Sequence, residues 1–236
     1  MTVKGVESRL EKKLFVFLKE KGFLNVNRGQ FEKEHRNGTT FNIGFNVKGY
    51  PPNDFSIQTI FGIKMEGIDK YWMKYLNIIG NDRNPHPHFI SFMITEFSPG
   101  LEQKYHLSFD GKPITSFGEG RESIKSEEDI SRYIEKFKSD YQELVFPFFN
   151  KAISIEWIDK KLNTNYLNFK LNFFNSTGLV YRKLIVAKLA NNPDFEEMYQ
   201  AFRVRWTGWF DKFNGKDIER LEKYIEVLDI VYEDLK

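Results

Sequence analysis

The chain has 236 residues, 41% of them hydrophobic and 29% charged, with a formal net charge of +2 and a sequence pI near 8.5. That length supplies a sizeable core, and the balanced charge excludes a strongly polyanionic or polycationic partner as the default expectation. With no cysteine there is no disulfide framework, no thiolate nucleophile and no cysteine-held zinc or iron–sulfur cluster.

Aromatic residues make up 17% of the chain, including 24 Phe. They carry the largest burial per side chain, so the core is expected to be built around them. The first apolar run, LFVFL from Leu14 to Leu18, is too short for a secretory core and is closed by Lys19, Glu20 and Lys21. No run approaches the roughly 18 apolar residues of a membrane span. The expectation is a soluble, cytoplasmic protein that does not engage a membrane.

Leu10, Leu14, Phe17 and Leu18 share one face of a first helix, and Gly22-Phe23 suits a glycine stop. Two strands follow, Gln30 to His35 and Thr39 to Lys48. In the second, Phe41, Ile43, Phe45 and Val47 alternate with Thr40, Asn42, Gly44 and Asn46, which predicts one buried face and one wet face. The connection fixes the register. A two-residue turn at Asn37-Gly38 would put Glu32 and Glu34 on the buried face beside Ile43 and Phe41. A three-residue loop with Gly38 left-handed places Phe31 opposite Ile43 and Glu32 opposite Asn42, and keeps the faces consistent.

After GYPPND, alternation from Phe55 to Ile63 predicts a third strand. Ile68 to Ile79 carries apolar residues at helical spacing, and two more strands are expected at His88 to Thr95 and Gln103 to Phe109. Ser126, with Glu128 and Asp129, starts a helix whose stripe is Ile130, Tyr133, Ile134, Phe137, Tyr141 and Leu144. Pro147 must kink or stop it. A further helix is expected over Ile153 to Leu162, and the Asn-rich residues 163–177 lean towards extended structure or loop. The rest reads as helix: Leu179 to Leu189, then a segment opened by Asn192-Pro193-Asp194 with an apolar face from Phe195 to Phe213, then Ile218 to Leu235 as its hairpin partner.

The order of a helix ending in Gly-Phe, then KEHRNGTTFNIGFNV, DFSIQTIFGIKM and ELVFPFFNKAISIEWIDKKLN, resembles a family of small bacterial domains of unknown function. In that family an aromatic-rich antiparallel sheet is joined to a long helix broken by a Pro-Phe pair, here Pro147 and Phe148. The resemblance covers about residues 7–162 and carries over no catalytic residue. Some proteins of similar build belong to toxin-immunity or interaction modules, so it implies binding rather than catalysis.

Three stretches could carry chemistry. His86 and His88, in NDRNPHPHFISFMI, stand one residue apart, and in extended chain both rings face one side, as two ligands of a divalent metal would. A site needs a third ligand, with His106, His35, Glu96 and Asp82 as candidates; the competing reading makes the pair the polar rim of a strand. FGEGRES, Phe117 to Ser123, lacks the Lys-Ser/Thr of a phosphate loop and reads as a turn. FRVRWTGWF, Phe202 to Phe210, interleaves Arg203 and Arg205 with Trp206 and Trp209 as single-strand binders do, yet at helical spacing the tryptophans fall on the buried stripe.

The chain therefore reads as an α+β protein: an antiparallel sheet of about five or six strands with helices packed on one face, then a C-terminal helical region. Residues 1–176 form the α+β domain and residues 177–236 the helical extension. The expected function is non-catalytic protein binding, immunity-type or regulatory, with an unidentified protein partner and no cofactor. The resemblance, the lack of a recognisable catalytic motif and the wet hairpin face motivate it. The alternatives are a metal-assisted hydrolase built on His86 and His88, and single-stranded nucleic-acid binding.

Overall fold

The computed structural model describes residues 1–50, 54–79, 92–93, 124–164, 166 and 173–236. The chain groups into two compact units, one of residues 1–64 and 92–153 and the other of residues 65–91 and 154–236.

The first unit opens with helix α1, Val3–Glu20. Thr2 caps it, its hydroxyl accepting the Gly5 N–H at 3.1 Å. Val6, Leu10, Leu14 and Leu18 recur every fourth residue and are all buried. The helix stops as expected: Gly22 takes φ +84°, and the N–H groups of Phe23 and Gly22 donate to Leu18 and Lys19, each at 2.9 Å. This doubly bonded reversal closes the last carbonyls and delivers Phe23 into the core.

Five strands form one antiparallel sheet in sequential order: β1 Leu24–Asn27, β2 Gln30–Glu34, β3 Thr39–Tyr50, β4 Asp54–Met65 and β5 Phe92–Met93. The β2–β3 hairpin has the expected register, with Phe31 opposite Ile43 and Glu32 opposite Asn42. His35 N–H donates to Thr39 at 2.8 Å, and Gly38 sits at φ +74° in the three-residue loop. Only a residue without a Cβ takes that backbone at no cost, so the glycine selects the loop length and the loop length selects the face.

Phe31, Phe41, Ile43, Val47, Phe55, Ile57, Phe61 and Ile63 make the buried face. The opposite face is less wet than alternation predicts. Glu34 and Asn46 are exposed, but Asn42 is only 7% exposed and Ser56 is buried. Alternation reports which residues share a face; it does not report what lies over that face. Strand β1 was not expected. All four of its residues are exposed, so it lacks the in-out contrast on which strand periodicity depends.

Helix α3, Glu127–Asp140, lies on the buried face of the sheet, as does α1. (Helix α2, Glu66–Ile79, belongs to the second unit.) Ser126 and Asp129 form a reciprocal capping box at its start. Phe137 is the hub of the aromatic core, its ring 5.5 Å from Phe45, 5.8 Å from Phe61 and 6.3 Å from Phe17. The helical path neither stops nor breaks at Pro147. It loosens into a π turn, Tyr141–Val145, in which Phe146 N–H reaches back to Tyr141, and resumes as α4, Phe146–Lys151. Proline then occupies the first turn of a new helix, where its missing N–H costs little. Phe149 on α4 stacks on Phe41 at 4.4 Å.

The second unit is helical: α2, then α5 Ile155–Asn163, α6 Phe173–Leu189, α7 Phe195–Thr207, a 3₁₀ turn at Phe210–Lys212, and α8 Lys216–Leu235. Helix α6 starts six residues before the expected Leu179, so residues 173–177 are neither strand nor loop. Asn and Phe have only weak local preference, and a helix once nucleated extends cheaply into such residues. Helix α7 ends at Thr207 before Gly208, earlier than the apolar face implied. Val180, Tyr181, Leu184, Ile185, Val186 and Ala187 are buried around nearly the whole circumference of α6. A helix apolar on every side belongs at a centre, and α2, α5, α7 and α8 pack against it.

Polar ties join α5 to α6. The Lys183 ammonium, 3% exposed, donates to the carbonyl of Leu162 in the last turn of α5. Asp159 accepts from Asn163 at 2.6 Å and from Asn192 at 2.7 Å. A buried cation is thus set at a helix C-terminus, where the dipole favours it.

Candidate functional site

The histidines His86, His88 and His106 lie outside the described residues, together with Asp82, Glu96 and the segment FGEGRES. Among the described residues no three His, Asp or Glu side chains gather as metal ligands would. His35 is held within its hairpin loop, its Nδ1 3.0 Å from the Asn37 amide oxygen.

The Arg-Trp segment is described, and it follows its spacing in part: Trp206 joins the buried stripe, whereas Trp209 lies beyond the end of α7 and is only half-buried. Trp206 is 1% exposed, edge-on to Tyr181 at 5.7 Å, so it offers no open face for a base. Arg203 points instead to Asp229 on α8, donating from Nε at 3.0 Å and Nη2 at 3.4 Å. Its pKa is raised by that hydrogen bond and by the carboxylate charge. Tyr199 donates to the same carboxylate at 2.8 Å, and burial together with that bond pushes its phenol up to about 12. These bonds fasten α7 to α8 in antiparallel register, with Tyr199 and Tyr232 stacked at 3.9 Å one turn away.

Between these two helices lies an open groove of about 670 Å³. Ile225, Ile230 and Phe210 supply apolar surface, and five carboxylates, Glu222, Glu226, Asp229, Glu233 and Asp234, outweigh the one lining cation, Arg203. Ile225 is 7% exposed, while Ile230 and Phe210 are half-buried. Glu222, Glu226, Asp229 and Glu233 follow one another at spacings of four, three and four residues, which puts them on one face of α8 over about 16 Å.

This ladder is answered only in part. Asp229 has Arg203 and Tyr199. Asp234 accepts from Lys74 on α2 at 2.6 Å and from Tyr75 at 3.1 Å, and Lys74 holds its carboxyl below the usual range. Glu222, Glu226 and Glu233 are exposed and form no ion pair among the described residues. Like charges four apart, as in Glu222/Glu226 and Asp229/Glu233, each cost a helix about 0.2–0.5 kcal/mol. Glu233 and Asp234 also fall in the last turn of α8, which contains no base, and there the helix dipole disfavours anions. The helix as a whole carries seven acids and three bases in a chain of net charge +2.

A groove so built can seat a cation-bearing apolar surface. Its residues are visible in the sequence, but reading α8 by its apolar stripe alone passes over them. The same periodicity applied to the polar face recovers the ladder. No family model, curated protein or solved structure matches the chain.

Proposed function

We propose that the chain is a non-catalytic protein-binding module, of the immunity or regulatory kind, whose partner docks on the groove between α7 and α8. The groove itself supports this reading: an apolar floor bordered by charge has the anatomy of a protein interface, with a desolvated centre and a polar rim. The resemblance of about residues 7–162 to small bacterial domains of unknown function, some proteins of similar build being immunity or interaction modules, favours binding over catalysis, though it does not reach the groove. Cysteine-free composition accords with a cytoplasmic setting.

The test is affinity capture from an extract of the native host with the full chain and with Ile230→Asp, followed by reconstitution of the recovered partner from purified components. The reading expects a partner that binds the wild-type chain and binds Ile230→Asp at least tenfold more weakly, with both proteins melting alike. Equal binding to both overturns the groove as the site. A reproducible turnover in a broad activity screen, without any specific partner, overturns the module itself.

A further inference from the structure

We infer that the groove receives a basic amphipathic helix of the partner, about three turns long, laid along α8. This rests on the protein-binding reading above and specifies the chemistry of what binds.

Three features of the groove carry the inference. Its lining comes from helices and a 3₁₀ turn, with no strand edge among the described residues, so an extended peptide would find no ladder there for its backbone N–H and C=O groups. A helix satisfies those groups internally before it arrives. The carboxylates repeat at four, three and four residues, the spacing at which Lys or Arg at i, i+4 and i+7 appears along a second helix packed nearly parallel to the first. Ile225, Ile230 and Phe210 lie within the same groove as that ladder, so the occupant must offer an aliphatic stripe next to its basic one.

Charge selects the occupant further. Glu222, Glu226 and Glu233 are placed where they weaken α8 and where nothing described answers them. A cationic helix supplies the missing counter-charges, and its ammonium or guanidinium groups relieve the repulsion within the ladder. The same carboxylates repel nucleic-acid phosphates and anionic lipid surfaces, so neither fits here. A polyamine matches the charges but leaves the apolar floor wet.

The experiment uses the full-length protein and two fluorescein-labelled helical peptides of 18 residues. One carries Lys at the i, i+4, i+7 and i+11 positions beside a Leu stripe; its twin replaces each Lys with Glu. Anisotropy is expected to show binding of the basic peptide only. That binding should weaken at least tenfold between about 50 and 500 mM salt, at least tenfold in Glu222→Gln/Glu226→Gln/Glu233→Gln, and as much in Ile230→Asp. Equal binding of the acidic twin overturns the partner chemistry. So does spermine that competes at the peptide's own affinity, since then charge alone suffices. If neither peptide binds while Ile230→Asp still loses the captured partner, the basic-helix inference fails and the protein-binding reading survives. If that partner ignores Ile230→Asp, both fail.

Discussion

Helices α3 and α8 are both amphipathic, both acidic at several positions and both packed by an apolar stripe, yet they treat charge in opposite ways. In α3 three of the five acids, Glu127, Glu128 and Asp129, occupy the first turn, where the dipole welcomes them, and a single acid, Asp140, stands at the C-terminal end. Asp129 closes the capping box, pairs with Arg132 at 2.5 Å and has its carboxyl held below the usual range, chiefly by the Lys125 N–H. Lys138 pairs with Glu135 at 2.7 Å. In α8 Asp217 and Glu219 also take the first turn, but Glu222, Glu226, Asp229 and Glu233 run on along one face with like charges four apart, and Glu233 and Asp234 stand at the end the dipole disfavours. Local consistency is the mark of residues kept for folding, and local inconsistency the mark of residues kept for something else.

The comparison should vanish on the buried side of the two helices, and there the largest effect is expected. Phe137 has no exposed surface and rings on three sides. Phe137→Ala should cost about 3–5 kcal/mol, and Leu228→Ala, fully buried on α8, about 2–5 kcal/mol, both read by urea denaturation. If the α8 substitution were nearly silent, the helix would be a loosely held appendage and its surface charges would need no functional account.

A second contrast lies within the helical unit itself, where an interior cation has a partner while Glu222, Glu226 and Glu233 form no ion pair among the described residues. Burial pushes the Lys183 ammonium from 10.5 down to about 8, with Asp159 pulling the other way. Between about pH 8 and 10.5 the unfolded chain therefore binds a proton that the folded chain has released. Stability rises with pH across that window, by up to about 1.4 kcal/mol per pH unit. Above pH 10 the raised phenols of Tyr199 and Tyr232, both near 12, act in the opposite sense. Urea midpoints at pH 8 and 9.5 should show the rise in the wild-type chain and a flat response in Lys183→Met. A flat wild-type profile would mean that the lysine is solvated.

How far the sequence discloses these features depends on whether the signal is local. The β2–β3 register was legible because Gly38 and the facing of Phe31 are both local and agree. The α3 start was legible because Ser126 and Asp129 stand three apart before an apolar stripe. Strand β1 was not, since a strand exposed at every residue carries no alternation. Nor was the π turn, because Pro147 announces a disruption without saying that the chain resumes as helix. The groove falls between these cases. The spacing of Glu222, Glu226, Asp229 and Glu233 is printed in the sequence, but a run of charge on a helix ordinarily marks a solvated face. What distinguishes this one is that Arg203 reaches Asp229 while Glu222, Glu226 and Glu233 form no ion pair among the described residues, which only the packing of α7 and α8 reveals.

The smallest effect is the most discriminating, because it differs in sign between the two helices. Removing a polar group from α3 should destabilise: Ser126→Ala deletes the cap and should cost about 1 kcal/mol. Removing charge from the α8 ladder should stabilise. The variant Glu222→Gln/Glu226→Gln/Glu233→Gln abolishes two like-charge contacts and one anion at the helix C-terminus, for a gain of a few tenths to about 1 kcal/mol. That gain should shrink above about 0.5 M salt, where exposed charges more than a few ångströms apart are screened, whereas the loss from Ser126→Ala should not. A protein made more stable by the substitutions that abolish its binding has carried those residues at a cost to its fold, as functional surfaces commonly do. Should the ladder variant instead lose stability as the cap variant does, Glu222, Glu226 and Glu233 are structural residues like those of α3, and the groove loses its claim to be a site.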